Sequence, residues 1–230
     1  MVETPEGSSR PPDLESTPAG APQPATEAST FEAIHRAADL CTAYVEHEED
    51  PPWPTGIRSL DKWLLGGLRP ACLYPIAGRT GEGKSSLALS IGRRMAVDGG
   101  GRVLYLSLEM TKRELIERII CQMALTTIQE LERLRNTQAL AEKVRPVWRS
   151  LQHAWLHIED MRGANIEELE ALFEHILAMG GETPQVVIVD LLQRVSLPYD
   201  VPRNEGLESY MGDLKRFCKQ KRIAAIVCCQ

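Results

Sequence analysis

Residues 78–85 read Gly78-Arg79-Thr80-Gly81-Glu82-Gly83-Lys84-Ser85, which fits G-x-x-x-x-G-K-[ST], a spacing suited to holding phosphate groups. Gly81 and Gly83 let the backbone turn its N–H groups inward, along a path that a Cβ would obstruct. The helix that should start here adds unpaired N–H groups and a positive dipole end. Lys84 reaches the β- and γ-phosphates as a point charge, and the Ser85 hydroxyl ligates Mg²⁺. The expected ATP cradle is therefore Gly78, Arg79, Thr80, Gly81, Glu82, Gly83, Lys84, Ser85 and Ser86, with Mg²⁺ as the accompanying ion. The competing reading is a glycine-rich strand-to-helix turn with a solvated lysine. The apolar run Ala71–Ala77 before the motif and the helical spacing of Leu87, Leu89 and Ile91 after it supply the setting that phosphate binding requires.

Such a loop needs one carboxylate for the metal and another for water. Val186-Val187-Ile188-Val189-Asp190 is an apolar strand ending in an acid, the form of a Walker B segment, so Asp190 is the expected metal acid. Glu109 ends the apolar run that follows the phosphate-loop helix. Facing the γ-phosphate, it would accept a proton from the attacking water or orient it. As an acid just ahead of a helix it would equally complement that helix's dipole. Gln230 ends the last apolar run, where a polar group either senses the γ-phosphate or merely closes a strand.

These residues need a scaffold that brings strand ends together. Ala71–Ala77, Val103–Leu108, Trp155–Ile158, Val186–Asp190 and Ile223–Cys228 read as strands, and 84–96, 111–125, 166–179 and 207–221 as helices. Thr111 with Glu114, and Asn165 with Glu168, are helix-start signals. A further helical stretch over 127–152 is expected in one or two pieces, broken near Pro146. Strands alternating with helices imply an α/β fold whose mainly parallel sheet is covered on both faces. Trp63, Trp148 and Trp155 read as core anchors. The basic run Lys215, Arg216, Lys219, Lys221 and Arg222 reads as solvated charge near a helix C-terminus, with contact to DNA phosphates as the alternative.

Residues 1–29 carry six prolines among small and polar residues and have little to bury, so a disordered tail is expected. From Ser29, a capping box with Glu32 and apolar steps at Phe31, Ile34, Ala38, Cys41 and Tyr44 predict a helix to His47. The net charge is −6, with five acidic groups and one arginine in the first 30 residues, so charge gives no argument for nucleic-acid binding. No apolar stretch approaches the ~18 to 20 residues that span a bilayer, and MVETPEGSSR has no signal-peptide character. The six cysteines form no C-x-x-C pair. Reduced thiols and a cytoplasmic location are expected.

Several segments resemble the RecA-like ATPase domain of DnaB-type replicative helicases. Thr55-Gly56-Ile57, Leu60-Asp61 and Gly66-Gly67-Leu68 precede the phosphate loop. Ser107-Leu108-Glu109-Met110, Asp190-Leu191-Leu192-Gln193 and Cys229-Gln230 follow in order. The resemblance covers about residues 54–230 and implies a P-loop ATPase domain over 51–230, with the segment 30–50 as the linker helix that docks on a neighbouring subunit. It implies a homo-hexameric ring, or assembly with such a ring, moving along single-stranded DNA and unwinding duplex at the expense of ATP. By resemblance Lys84 and Ser85 bind nucleotide and Mg²⁺, Glu109 is the general base, Asp190 the metal acid and Gln230 the sensor.

The chain departs from the family at Leu191, where an aromatic is common, and at Thr80, where proline is. Pro75 falls inside the strand before the phosphate loop, which an edge strand accommodates best. The tail stands where the family has a primase-binding helical domain. In the family the DNA-binding loops and arginine finger lie beyond the position of Gln230. A chain without them should bind nucleotide, hydrolyse it feebly and not unwind DNA alone. Two other functions fit the same residues: a RecA-fold ATPase of recombination or signalling that does not translocate, and a nucleotide-binding adaptor of a helicase ring.

Overall fold

The structure, a computed structural model, describes residues 50–230. The expected tail and the helix over 30–47 lie outside these residues. The strands β1 (Leu73–Ala77), β2 (Val103–Ser107), β3 (Leu156–Asp160), β4 (Val186–Asp190) and β5 (Ala224–Cys229) form a sheet in the order β1-β5-β4-β2-β3. Every neighbouring pair is parallel. β2 and β4 are buried at every residue, as their β-branched and leucine-rich sequences require of strands covered on both faces.

Alternation along the strands divides the core into two layers. Leu104, Leu106, Val187, Val189, Ala225 and Val227 face Leu169 and Phe173 of α6 (Ile166–Ala178) and Leu214 and Phe217 of α7 (Arg203–Lys221). The Phe173 and Phe217 rings meet edge to face, with centroids 4.9 Å apart, a favoured aromatic geometry. On the other face Val103, Tyr105, Val186, Ile188 and Ile226 pack against Ala88, Leu89 and Ile91 of α2 (Lys84–Arg93) and Leu115 and Ile119 of α3 (Lys112–Ala124). A short α1 (Arg58–Trp63) precedes β1. The chain of α2 continues as a wider turn over Arg94–Asp98.

The two capping boxes expected within the described residues are present. Thr111 accepts from the Glu114 N–H while Glu114 accepts from the Thr111 N–H, and Asn165 and Glu168 do the same for α6. Thr111→Ala and Asn165→Ala are each expected to lower stability by about 1 kcal/mol, read as an earlier midpoint in urea with an unchanged slope.

Three expectations need correction. The stretch 127–152 does form two helices, α4 (Ile128–Arg133) and α5 (Gln138–Leu151), but Pro146 lies inside α5. The break comes earlier, where Asn136 takes a left-handed φ of 64° and the Thr137 hydroxyl caps α5 by accepting from the Leu140 N–H. Pro146 and Glu142 are both exposed, so water can serve the Glu142 carbonyl left without an N–H partner. Trp63 and Trp148 are not core anchors, being 86% and 56% exposed. α1 buries none of its residues, and Val147, the neighbour of Trp148, is the buried residue of α5. Trp155 alone of the three packs against the core. α7 begins at Arg203, four residues before its expected start at 207.

Pro75 is accommodated because among the described residues β1 is an edge strand. β5 bonds to Cys72 and Gly78, so the alternation directs the nitrogen of odd-numbered Pro75 away from the ladder. Three residues of the basic run pair within the chain: Arg216 with Asp213, Lys221 with Glu174 and Arg222 with Asp50. Cys218 is buried, and burial pushes its thiol up to about 12. Thiolate is the reactive form, so maleimide at pH 7.5 is expected to label Cys218 only after denaturant is added, read by peptide mass. Raising the pH from 9 toward 12 should also destabilise the native state. The unfolded thiol ionises in that range while the folded one stays protonated.

Candidate functional site

All four of the strands that matter end on the same side of the sheet. β1 runs into the phosphate loop, β5 into Gln230, β4 into Asp190 and β2 toward Glu109. The order β1-β5-β4-β2 therefore sets those groups side by side along one rim, the position where open parallel sheets bind ligands. The register places Ser107 opposite Asp190, and the Leu108 N–H donates to the Asp190 carbonyl at 2.6 Å. The two acid-bearing strand ends are thus locked together.

The loop itself turns through Gly81 (φ 83°) and Gly83 (φ 90°), both left-handed, a region where L-residues are strained. A Cβ on either would meet no protein atom within 4 Å, so the space beside both glycines is open. Glu82 folds back so that its carboxylate accepts from the Arg79 N–H at 2.7 Å, shaping the loop from behind. The Lys84 ammonium donates to the Arg79 carbonyl at 2.8 Å, and only 8% of the residue is exposed.

Ser85 donates its hydroxyl to Asp190 Oδ1 at 3.0 Å, joining the first turn of α2 to the end of β4. The other carboxylate oxygen, Asp190 Oδ2, accepts from the Tyr105 hydroxyl at 2.6 Å. Asp190 is 1% exposed, so both oxygens need partners, and both have them. Burial, followed by the neighbouring Asp190 charge, raises the Tyr105 phenol far above its ordinary value. Burial, the Asp190 charge and a hydrogen bond with Asp190 likewise raise the Cys228 thiol. Tyr105 therefore remains a protonated donor to the carboxylate.

A cleft of about 540 Å³ opens above this floor, lined by Thr80, Gly81, Gly83, Lys84, Ser85, Ser86, Glu109 and Gln230 among others. Gly78, Arg79, Glu82 and Asp190 are not on its wall; the first three build the loop and Asp190 lies below Ser85. Glu109 is exposed. Its alternative role at the start of α3 is filled by others: Glu114 caps Thr111, and Asp160 accepts from the Lys112 N–H at 3.0 Å. The Gln230 side chain donates to Thr80 Oγ1 at 2.7 Å, while its backbone is held on both sides by the Gln193 amide.

The sequence reading missed Arg118, which lines the cleft and donates to the Ser86 hydroxyl at 3.4 Å. Its signal was its place one helical turn after Glu114, which puts both on the side of α3 turned to the cleft. By sequence alone Tyr105 is one more residue of an apolar strand. A phenol two residues before the position paired with a strand-end acid is within diagonal reach of that acid.

The residues fit a triphosphate with a divalent ion. An anion-accepting helix start, two left-handed glycines opening onto free space, one lysine, one arginine, and a hydroxyl already bonded to a carboxylate constitute the donor set such a ligand needs. Among the described residues, no helix is long and apolar enough to cross a membrane.

Comparison with known proteins agrees with this geometry. Residues 53–230 match the DnaB-like helicase C-terminal domain. A replicative DNA helicase DnaB of Leifsonia xyli is 26% identical over 178 residues, covering 77% of this chain and 38% of the relative. A replicative DNA helicase of Bacillus subtilis is 25% identical over 179 residues, covering 77% and 39%. The chain thus spans less than two fifths of either relative. A solved DnaB-like replicative helicase, described together with its interactions with primase, shares the fold at a TM-score of 0.73 and 21% identity, covering 86% of this chain and 49% of that one. The parallel sheet with its flanking helices is that of a RecA-like ATPase domain, and the chain belongs to the DnaB-like helicase C-terminal domain family.

Proposed function

We propose that this chain is the ATP-binding, Mg²⁺-dependent ATPase portion of a replicative helicase, acting in a hexameric ring that moves on single-stranded DNA. The observation that carries the reading is the Ser85–Asp190 hydrogen bond beneath a cleft that Lys84 and Glu109 share. That pairing joins a phosphate loop to the acid at the end of β4, across the intervening β5, an arrangement that a glycine turn with a solvated lysine has no reason to build.

Each residue then has a task. Backbone N–H groups over 81–85 hold the β-phosphate, and Lys84 and Arg118 offset charge on the outer phosphates. Ser85 and Asp190 would hold Mg²⁺, which neutralises charge developing on the phosphate oxygens. Glu109 orients a water and takes its proton as the water oxygen attacks the γ-phosphorus. The bond from that phosphorus to the bridging oxygen breaks, leaving ADP and phosphate. Gln230, anchored between Gln193 and Thr80, is placed to report the state of the γ-phosphate to the rest of β5.

The test is binding of a fluorescent ATP analogue to the purified chain. Saturable binding with Mg²⁺ that weakens in EDTA supports the reading, and no binding at millimolar nucleotide overturns it. Coupling to DNA is checked by hydrolysis in a ring assembled with full-length helicase subunits. A rate that rises with single-stranded DNA supports translocation, whereas one indifferent to DNA leaves a non-translocating ATPase.

A further inference from the structure

Asp190 is held from below as well as from the side. Its Oδ1 faces Ser85, while its Oδ2 receives the Tyr105 hydroxyl at 2.6 Å in a site where Tyr105 is 0% and Asp190 1% exposed. β2 and β4 are adjacent and parallel, with Tyr105 paired to Ile188 and Ser107 to Asp190. Tyr105 and Asp190 consequently project on the same face, two residues apart along the strand, a separation that an aromatic side chain can bridge and an aliphatic one in the same place cannot. Apart from the Cys228 thiol, the buried layer that holds the ring is apolar, with Val103, Ile188, Ile226, Leu115 and Ile119. A phenol placed there, with its hydroxyl donated to one carboxylate oxygen, is poorly explained as packing, for which phenylalanine would serve as well.

We propose that Tyr105 is a positioning residue for the metal carboxylate: it engages Asp190 Oδ2, fixes the rotation of the carboxylate, and leaves Oδ1 turned toward Ser85 and the ion. The inference rests on the reading of Asp190 as the metal acid. An O–H···O⁻ bond of this length is among the strong ones, and groups that orient a metal ligand commonly change metal affinity by about tenfold or more when removed. The phenol is buried and does not line the cleft, so its effect belongs to the metal and not to the phosphate cradle.

That separation provides the test. ADP affinity of the purified chain is measured in EDTA and again in Mg²⁺, for the native protein, Tyr105→Phe, Asp190→Asn and the double variant, with Mn²⁺ binding to the ADP complex followed by electron paramagnetic resonance. Tyr105→Phe is expected to keep its ADP affinity in EDTA, to lose roughly tenfold of the gain that Mg²⁺ confers, and to weaken Mn²⁺ by a similar factor. In the Asp190→Asn background the same change should have no further effect. A Mg²⁺ gain unaltered by Tyr105→Phe but reduced by Asp190→Asn overturns the role of Tyr105 and leaves the site standing. A gain unaltered by either substitution overturns both. Should Tyr105→Phe unfold, a folded double variant still assigns the hydroxyl to the Asp190 charge, whereas loss of fold in both reduces Tyr105 to packing and overturns the proposal.

Discussion

Lys84→Ala is expected to remove ATP binding almost completely, weakening it at least a hundredfold while leaving the melting temperature close to that of the native chain. Lys84 sits at the first turn of α2 with its ammonium over the loop, bonded to the Arg79 carbonyl and 8% exposed. A triphosphate in the cleft exchanges that single neutral acceptor for charged phosphate oxygens, and each charge-assisted hydrogen bond contributes about 1.5 to 3 kcal/mol. Two such bonds account for the loss, since each 1.4 kcal/mol is about tenfold. Stability is preserved because alanine is a better helix former than lysine and because the glycines at 81 and 83, not the lysine, set the path of the loop. Equilibrium titration alongside a thermal melt reads both effects.

Glu109→Gln is expected to separate binding from chemistry. Nucleotide affinity and the melt should stay unchanged, while hydrolysis in an assembled ring falls by about 10² to 10⁴, the usual contribution of a positioned base. Glutamine keeps the size and hydrogen-bonding reach of the side chain but cannot accept the water proton. The structure makes the result decisive. The start of α3 is already served by the Thr111–Glu114 box and by Asp160, so an uncapped helix cannot be the cause of lost activity. A variant that melts early yet hydrolyses normally would instead give Glu109 a structural role.

Much of this was legible in the residue order. The phosphate loop announces itself because left-handed turns demand glycine, and the two helix-start boxes because reciprocal side-chain bonds need fixed spacing. The strands were legible from apolar runs, and Pro75 pointed to the edge position that β1 occupies. The errors lie where local pattern and tertiary placement diverge. Pro146 marks a break only if its helix face is buried, and here it faces water. Trp63 and Trp148 look like core by composition, but which side of a short helix faces the sheet depends on packing against distant segments. Arg118 and Tyr105 were missed for a related reason. Neither belongs to a short motif, and their meaning appears only once β2 lies against β4 and α3 lies across α2.

The same contrast explains why the carboxylates could be assigned before the donors beneath them. Asp190 and Glu109 are acids at strand ends, visible as interruptions of apolar runs. The groups that hold Asp190 come from β2 and α2, 85 and 105 positions away in the chain. Long-range polar networks of this kind leave no periodic trace, yet they decide how a buried charge is kept.

The most direct test of the whole arrangement is a crystal structure of the chain grown with ADP and Mg²⁺. The phosphates are expected to lie against the backbone N–H groups of 81–85, with the ion beside Ser85 and Asp190 and with Glu109 facing the open end of the phosphate chain. Nucleotide bound elsewhere on the molecule, or an ion with neither Ser85 nor Asp190 near it, would contradict that arrangement.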